Sequence, residues 1–124
     1  MARITTISLF KDMSLSAGDS GTSDPIDLRY CANKQVFSLS HRNAAGTSTT
    51  CGTTVFTYTG CIKIDGSYVA PTGAAAAGTS GVAIAQKITP FSPTLVPFMK
   101  VVATQTGDGT NGANSVITAE LIVQ

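Results

Sequence analysis

The sequence predicts an all-β fold, a single antiparallel β-sandwich of about seven or eight short strands joined by long loops. Thr, Ser, Ala and Gly make up 57 of the 124 residues, a mixture that favours short strands and turns over helices. Apolar and polar residues alternate in several short segments, and no segment of useful length has a helical period. The length suits one domain spanning residues 1–124. Turn spacing leaves a jelly-roll and an immunoglobulin-like strand order equally open.

The first half of the chain contains four segments with an extended pattern. In the third of them Phe37 and Leu39 share one face, which we expect to point to the core. In the fourth, Phe56 and Tyr58 share one face, and threonine and aromatic residues together favour a strand. The predicted segments are Arg3–Phe10, Ile26–Tyr30, Gln35–His41 and Thr53–Thr59.

Two further segments are predicted to be long loops. Residues 11–25 are rich in Ser, Gly and Asp and end at Asp24-Pro25, which indicates an extended arm or surface loop. Residues 71–81 contain four consecutive alanines between glycines, too short a run for a stable helix, and we expect a flexible loop. Loops this long usually have a function, so both are candidates for subunit contacts.

The second half continues the strand pattern. Asp65-Gly66 predicts a tight hairpin between Cys61–Ile64 and Ser67–Val69. Proline cannot donate to a sheet ladder, so Pro90, Pro93 and Pro97 predict a crossing or edge segment over residues 91–97. The remaining predicted strands are Val82–Thr89, Phe98–Gln105 and Ser115–Val123, the last two joined by a Gly/Asn-rich turn over residues 106–114.

The charge distribution argues against nucleic-acid binding. Eight Lys+Arg oppose seven Asp+Glu, which leaves a formal net charge of +1, and the cations are spread evenly along the chain. Binding to phosphates needs a clustered cationic field, which is missing here. The N-terminal segment has no apolar run long enough for a secretory signal, and no run approaches the ~20 residues of a membrane span. We therefore expect a soluble protein without nucleic-acid or membrane partners.

Four potential metal ligands occur at intervals of ten residues, namely Cys31, His41, Cys51 and Cys61. Their types match a Cys3His zinc site, but structural zinc sites usually draw two ligands from one tight knuckle, and this sequence has none. An odd number of cysteines also argues against a disulfide framework. We expect free, mostly buried thiols, with no metal and no cofactor.

Catalytic constellations are equally weak. A cysteine or serine nucleophile would depend on His41, which is the single histidine, and no G-x-S-x-G motif is present. A glycosidase pair would need Glu120, the single glutamate, with an aspartate, whereas the aspartates have the sequence context of turns and caps. These aspartates are Asp12, Asp19, Asp24, Asp27, Asp65 and Asp108. The sequence predicts no catalytic residues and no enzyme.

Several segments resemble small β-sandwich virion proteins of tailed bacteriophages, of the head decoration or cement type. The resemblance lies in residue pattern and composition near both ends of the chain. It covers Ser23-Asp24-Pro25-Ile26-Asp27-Leu28, Val36–Ser40, Pro97–Thr104 and Val116–Gln124.

This resemblance implies a non-enzymatic structural protein, made in the host cytoplasm and located on the capsid exterior. Its implied partners are the major capsid protein and copies of itself, in a homotrimer or another homo-oligomer. Two alternatives remain open, a tail tube, collar or fibre protein and a module that binds cell-surface glycan. The glycan reading requires exposed aromatic residues around Tyr30, Tyr58 or Tyr68.

Overall fold

The computed structural model describes residues 4–15, 18–31, 35–43, 54–71, 77–78, 84–91, 96–105 and 115–124. Within these ranges the chain forms nine β-strands and no helix. The strands are β1 (Thr5–Leu15), β2 (Ser20–Thr22), β3 (Ile26–Asp27), β4 (Gln35–Asn43), β5 (Thr54–Cys61), β6 (Ala77–Gly78), β7 (Ile84–Phe91), β8 (Phe98–Gln105) and β9 (Ser115–Val123).

The strands form two antiparallel sheets. The first sheet has the order β1-β9-β4-β7, and the second has the order β2-β8-β5-β6, with β3 also paired to β8. Residues of both sheets join one hydrophobic core, including Leu121 from the first sheet and Tyr58 and Met99 from the second. The predicted all-β antiparallel sandwich is confirmed.

Strand β9 shows why the alternating pattern is informative. Ile117, Ala119 and Leu121 are completely buried and Val123 is 3% exposed, as expected for residues that share one face of a strand. Its neighbours in the sheet are β1 and β4, so β9 is an interior strand whose bounds match the predicted Ser115–Val123. Strand β8 likewise matches the predicted Phe98–Gln105.

The predicted arm at residues 11–25 is wrong over most of its described part. Strand β1 continues to Leu15, which is buried, and β2 pairs with β8. Alternation of apolar and polar residues does not reveal this part of β1, because the strand shifts register twice against β9. Asp12, at the second shift, has a φ of 49°. Thr118 supports the irregularity, since its Oγ1 accepts a 3.1 Å hydrogen bond from the Asp12 backbone N–H. A bulge of this kind moves following residues to the other face and hides the strand pattern.

Ser23 follows β2 and is hydrogen-bonded to the backbone of β8. Its buried Oγ accepts a 2.9 Å hydrogen bond from the backbone N–H of Val101 and donates to the carbonyl of Asp24 at 3.0 Å. The Ser23 N–H also donates to the Val101 carbonyl at 2.8 Å. The side chain therefore completes the pairing of β8 where β2 has ended.

We expect Ser23→Ala to lower the free energy of unfolding by about 1–2 kcal/mol, because it leaves the buried Val101 N–H without its acceptor. Denaturant titration of the two proteins measures the difference. Thr22→Ala, at an exposed neighbouring position, is the matched control and should cost less than about 0.5 kcal/mol. Equal stabilities of Ser23→Ala and wild type would contradict the assigned role.

The predicted tight hairpin at Asp65-Gly66 is a wider loop. Strand β5 ends at Cys61, and Gly60 and Val69 exchange backbone hydrogen bonds of 2.9 and 3.1 Å. Inside the loop the Gly66 N–H donates to the Lys63 carbonyl at 3.2 Å. A two-residue type I′ hairpin needs positive φ at both central residues, and neither Asp65 nor Gly66 has it. The chain reverses as predicted, but Ile62 and Ile64 are placed in a turn.

Only parts of the other predicted loops lie within the residues that the structure describes. In residues 71–81, Ala77–Gly78 forms β6 against β5, which corrects the loop prediction there. Strand β7 runs through Pro90, opposite Val36, to Phe91. This extends the predicted strand and is possible because β7 lies at a sheet edge, where a missing N–H does not break the ladder. Residues 72–76, 92–95 and 106–114 lie outside the described ranges.

Candidate functional site

In the described part of the chain, the candidate metal-ligating and catalytic residues do not come together in one site. Cys31 and Cys61 are free, half-buried thiols, which corrects the expectation of mostly buried ones. His41 lies on β4, opposite Ile84 and Ile117. Cys51 and Asp108 are outside the described residues. Among those described, no group of three His, Cys, Asp or Glu side chains could hold a metal ion.

The carboxylates are spread over both sheets. Glu120 lies on β9 opposite Ser8 and Ser38, in the first sheet. Asp27 ends β3 in the second sheet, and Asp65 lies in the turn after β5.

In the part of the chain that the structure describes, no helix has the length and hydropathy to cross a membrane.

One end of the sandwich is unusually apolar. Asp27 of β3 and Cys61 of β5 both pair with Phe98, the first residue of β8, so the segments that follow β3 and β5 leave the sheet at the same end. Exposed large hydrophobic residues lie in these segments. They are Tyr30 at 88%, Ile62 at 79%, Ile64 at 55% and Val69 at 64% exposure.

The first sheet contributes to the same end. The chain passes from Cys31 to Gln35 of β4, and from Phe91 of β7 to Val96, within a few residues. Gln35 pairs with Val123, and Val123 pairs with Thr5. Ile4, which is 75% exposed, therefore also lies at this end. All the exposed large hydrophobic residues recorded for the described side chains thus share one end of the fold.

Two adjoining cavities open at this end. One of about 510 Å³ is lined by Leu28, Arg29, Cys31, Val96 and Pro97. Another of about 320 Å³ is lined by Gly60, Cys61, Ile62, Ser67, Val69 and Val96. Val96 belongs to both walls, so the two cavities adjoin, and Tyr30 lies in the chain between Arg29 and Cys31 of the larger one. We call the surface formed by Tyr30, Ile62, Ile64, Val69 and Val96 the apolar end.

Arg29 organises one side of the apolar end. Its Nε and Nη2 donate to the two carboxylate oxygens of Asp27 at 3.0 and 2.8 Å. Its guanidinium also lies 5.0 Å from the ring centre of Phe98 and 5.5 Å from that of Tyr30. These hydrogen bonds lower the pKa of Asp27 and raise that of Arg29, so both stay charged at neutral pH. The guanidinium therefore contacts aromatic rings at the rim of the larger cavity, which Arg29 itself lines.

Tyr68 organises the other side. Its hydroxyl donates a 2.8 Å hydrogen bond to the Ile64 carbonyl, and the Lys100 ammonium lies 4.4 Å from its ring centre. Burial, followed by the charges of Cys61 and Asp65, raises the pKa of the Tyr68 hydroxyl, which stays a neutral donor. Tyr58 is only 1% exposed, so the structure removes it from the aromatic residues available to a glycan.

The reactivity of the Cys31 thiol reports on the charge and burial around the larger cavity. Burial raises the pKa of its thiol, and the negative charge of Asp27 raises it further. We expect fewer of these thiols to be ionised at pH 8 in the folded protein than in the unfolded chain, so alkylation of Cys31 by iodoacetamide should be slower in the folded protein than in denaturant. Peptide mass spectrometry measures the rate at this residue.

The Asp27→Asn variant supplies the control for this prediction. Removing the negative charge lowers the pKa of Cys31, and alkylation at pH 8 should become faster. Equal rates in the folded and denatured protein would contradict the burial of the Cys31 thiol.

No family model matches the sequence. Comparison with curated proteins likewise finds no match. Solved structures do share the fold. A chain from a structure of infectious bursal disease virus Gx strain aligns over 98% of this protein at 17% identity and a TM-score of 0.55. A chain of the T13 particle of that virus also aligns over 98%, at 15% identity and a TM-score of 0.55. T=1 particles derived from infectious bursal virus give 98% coverage, 13% identity and a TM-score of 0.50.

These likenesses establish the fold. The protein covers 31%, 30% and 31% of the three virus chains, so it corresponds to less than a third of each. The shared fold extends over 98% of this chain in each case.

Proposed function

We propose that the protein is a structural component of a virus particle. The observation that carries the proposal is the β-sandwich, which aligns over 98% of its length with chains of infectious bursal disease virus particles. The apolar end supports it, because a contiguous exposed apolar surface is typical of proteins that pack against other proteins. In this proposal the chain acts as one domain and binds without catalysis, metal or cofactor.

Within the virion, we propose the role of a capsid decoration or cement protein. The protein binds the outside of an assembled capsid and contacts both the major capsid protein and copies of itself. A small sandwich with one apolar end suits this role, since many modest contacts on a repeating lattice add up through multivalency. It is made in the host cytoplasm and has no nucleic-acid or membrane partner. The resemblance of the chain ends to tailed-phage proteins supports the same placement.

A second candidate is a shell protein that builds the capsid itself. The specific observation in its favour is that the aligned chains include those of a T13 particle and of T=1 particles. A shell protein forms closed particles from its own copies, whereas a decoration protein stops at a small oligomer until a lattice is supplied.

Light scattering with size-exclusion chromatography, negative-stain microscopy and co-sedimentation with undecorated tailed-phage capsids test these roles. A small species that pellets with capsids supports decoration. Closed particles formed by the protein alone support the shell role, and growing rings or filaments support a tail protein. A monomer that neither assembles nor pellets, especially one that binds a glycan array, would overturn the virion proposal.

A further inference from the structure

The apolar end is one surface with chemistry of its own. Ile62, Ile64 and Val69 lie in or beside the turn after β5, and Tyr30 lies in the segment after β3, between the cavity-lining residues Arg29 and Cys31. Turns are normally polar, because exposed apolar side chains there add nothing to the core of their own chain. Their clustering at one end therefore indicates a surface that a protein partner covers.

Charges around this surface carry both signs. Lys63 and Asp65 lie two residues apart at the tip of the turn, and neither belongs to the ion pair recorded among the described residues, Asp27–Arg29. A strongly acidic or basic partner would be matched by a rim of one sign. A mixed rim is matched by itself, because a twofold rotation brings the cation of one copy opposite the anion of the other. The net charge of +1 adds little long-range repulsion between copies.

The edge of the first sheet offers a poor route to the same association. Strand β1 has one sheet neighbour, but it shifts register between Ser8 and Phe10 and again between Phe10 and Met13. Exposed Lys11 and Asp12 lie in the irregular part. Bulges and charges are features that discourage strand addition at an edge. Contact through side chains at the apolar end is thus favoured over strand addition at β1.

We propose that the apolar end is a twofold interface between two copies of this chain, with Ile62 and Tyr30 at its centre and Lys63 of each copy opposite Asp65 of the other. This inference deepens the proposed function and rests on it for the biological use of the contact, since it identifies the surface that joins neighbouring copies. The physical contact itself is measured without any capsid.

The first test is analytical ultracentrifugation of the full chain between about 1 μM and 1 mM. We expect the wild type to associate and Ile62→Glu to weaken association at least about tenfold, because it places a carboxylate in the apolar contact. Ser14→Glu introduces the same charge at an exposed position of β1 and should leave association unchanged. Thermal unfolding of both variants checks that they are folded.

The second test exchanges the charges of the turn. Lys63→Asp makes the rim acidic and Asp65→Lys makes it basic, so each variant alone should associate more weakly than the wild type. Mixed in equal amounts, the two variants should associate with each other, and the double variant Lys63→Asp/Asp65→Lys should recover self-association. Lys11→Asp is the control for the change in net charge.

Each outcome separates the interface from the wider function. Association that Ile62→Glu does not weaken, or charge variants that fail to pair when mixed, would overturn the twofold interface. A wild type that stays monomeric throughout would overturn it too, while pelleting of that monomer with capsids would leave the proposed function standing. An associating protein that ignores capsids and forms no particles would leave the interface and remove the virion role.

Discussion

Leu121→Ala lowers the free energy of unfolding by about 2–5 kcal/mol, the largest stability effect that we expect from a single substitution. Leu121 is completely buried on β9, opposite Ile7 of β1 and Phe37 of β4. Because both neighbouring strands hold β9 in place, the packing cannot collapse onto the space left by the lost side chain. The loss is a large share of the about 5–15 kcal/mol by which domains of this kind are stable.

Urea unfolding followed by far-ultraviolet circular dichroism measures this change. The matched control is Ile4→Ala, which removes a similar side chain from a position that is 75% exposed, and should change the stability by less than about 0.5 kcal/mol. Equal effects of Leu121→Ala and Ile4→Ala would show that β9 is not the centre of the core.

Much of the fold follows from local pattern. In β9 and β5 the alternation is unbroken, and the apolar face of each strand, which includes Leu121 in β9 and Tyr58 in β5, is buried. The pattern failed in β1, where Leu9 and Phe10 are adjacent and both buried. Period-2 alternation cannot describe such a position, because a bulge places consecutive residues toward the same side. The order of the strands within each sheet could not be predicted from the sequence, since it depends on contacts between segments that are distant in sequence.

The candidate site was harder to predict than the fold. Ile62 and Ile64 alternate with polar residues, which predicts a hairpin strand, whereas they lie exposed in a turn. The available signal was their position beside Asp65-Gly66, where large apolar residues are unusual. The placement of Tyr30 and this turn at the same end of the fold could not be predicted, because it requires β3 and β5 to flank β8. The apolar end therefore arises from this three-dimensional placement and not from a sequence motif.

Gly60→Ala is the second prediction with a large effect, and it acts at the base of the apolar end. A Cβ at Gly60 would lie 2.7 Å from Cγ1 of Val96 and 3.0 Å from its Cβ and Cγ2. Val96 is β-branched, so it cannot swing one flexible end away. We expect a loss of about 2–3 kcal/mol in the free energy of unfolding, the upper part of the range for overpacking. Denaturant titration measures it.

A double-mutant cycle with Val96→Ala separates this clash from other effects of losing a glycine. Alanine in place of glycine restricts the unfolded chain and by itself stabilises by about 0.4–1 kcal/mol when the native backbone accepts it, and Gly60 has no positive φ. In the Val96→Ala background Cγ1 and Cγ2 are absent and only the 3.0 Å approach to Cβ remains, so Gly60→Ala should cost clearly less than it does in the wild type. An undiminished loss there would place the cost in the backbone of β5 and would contradict the close packing of Gly60 against Val96.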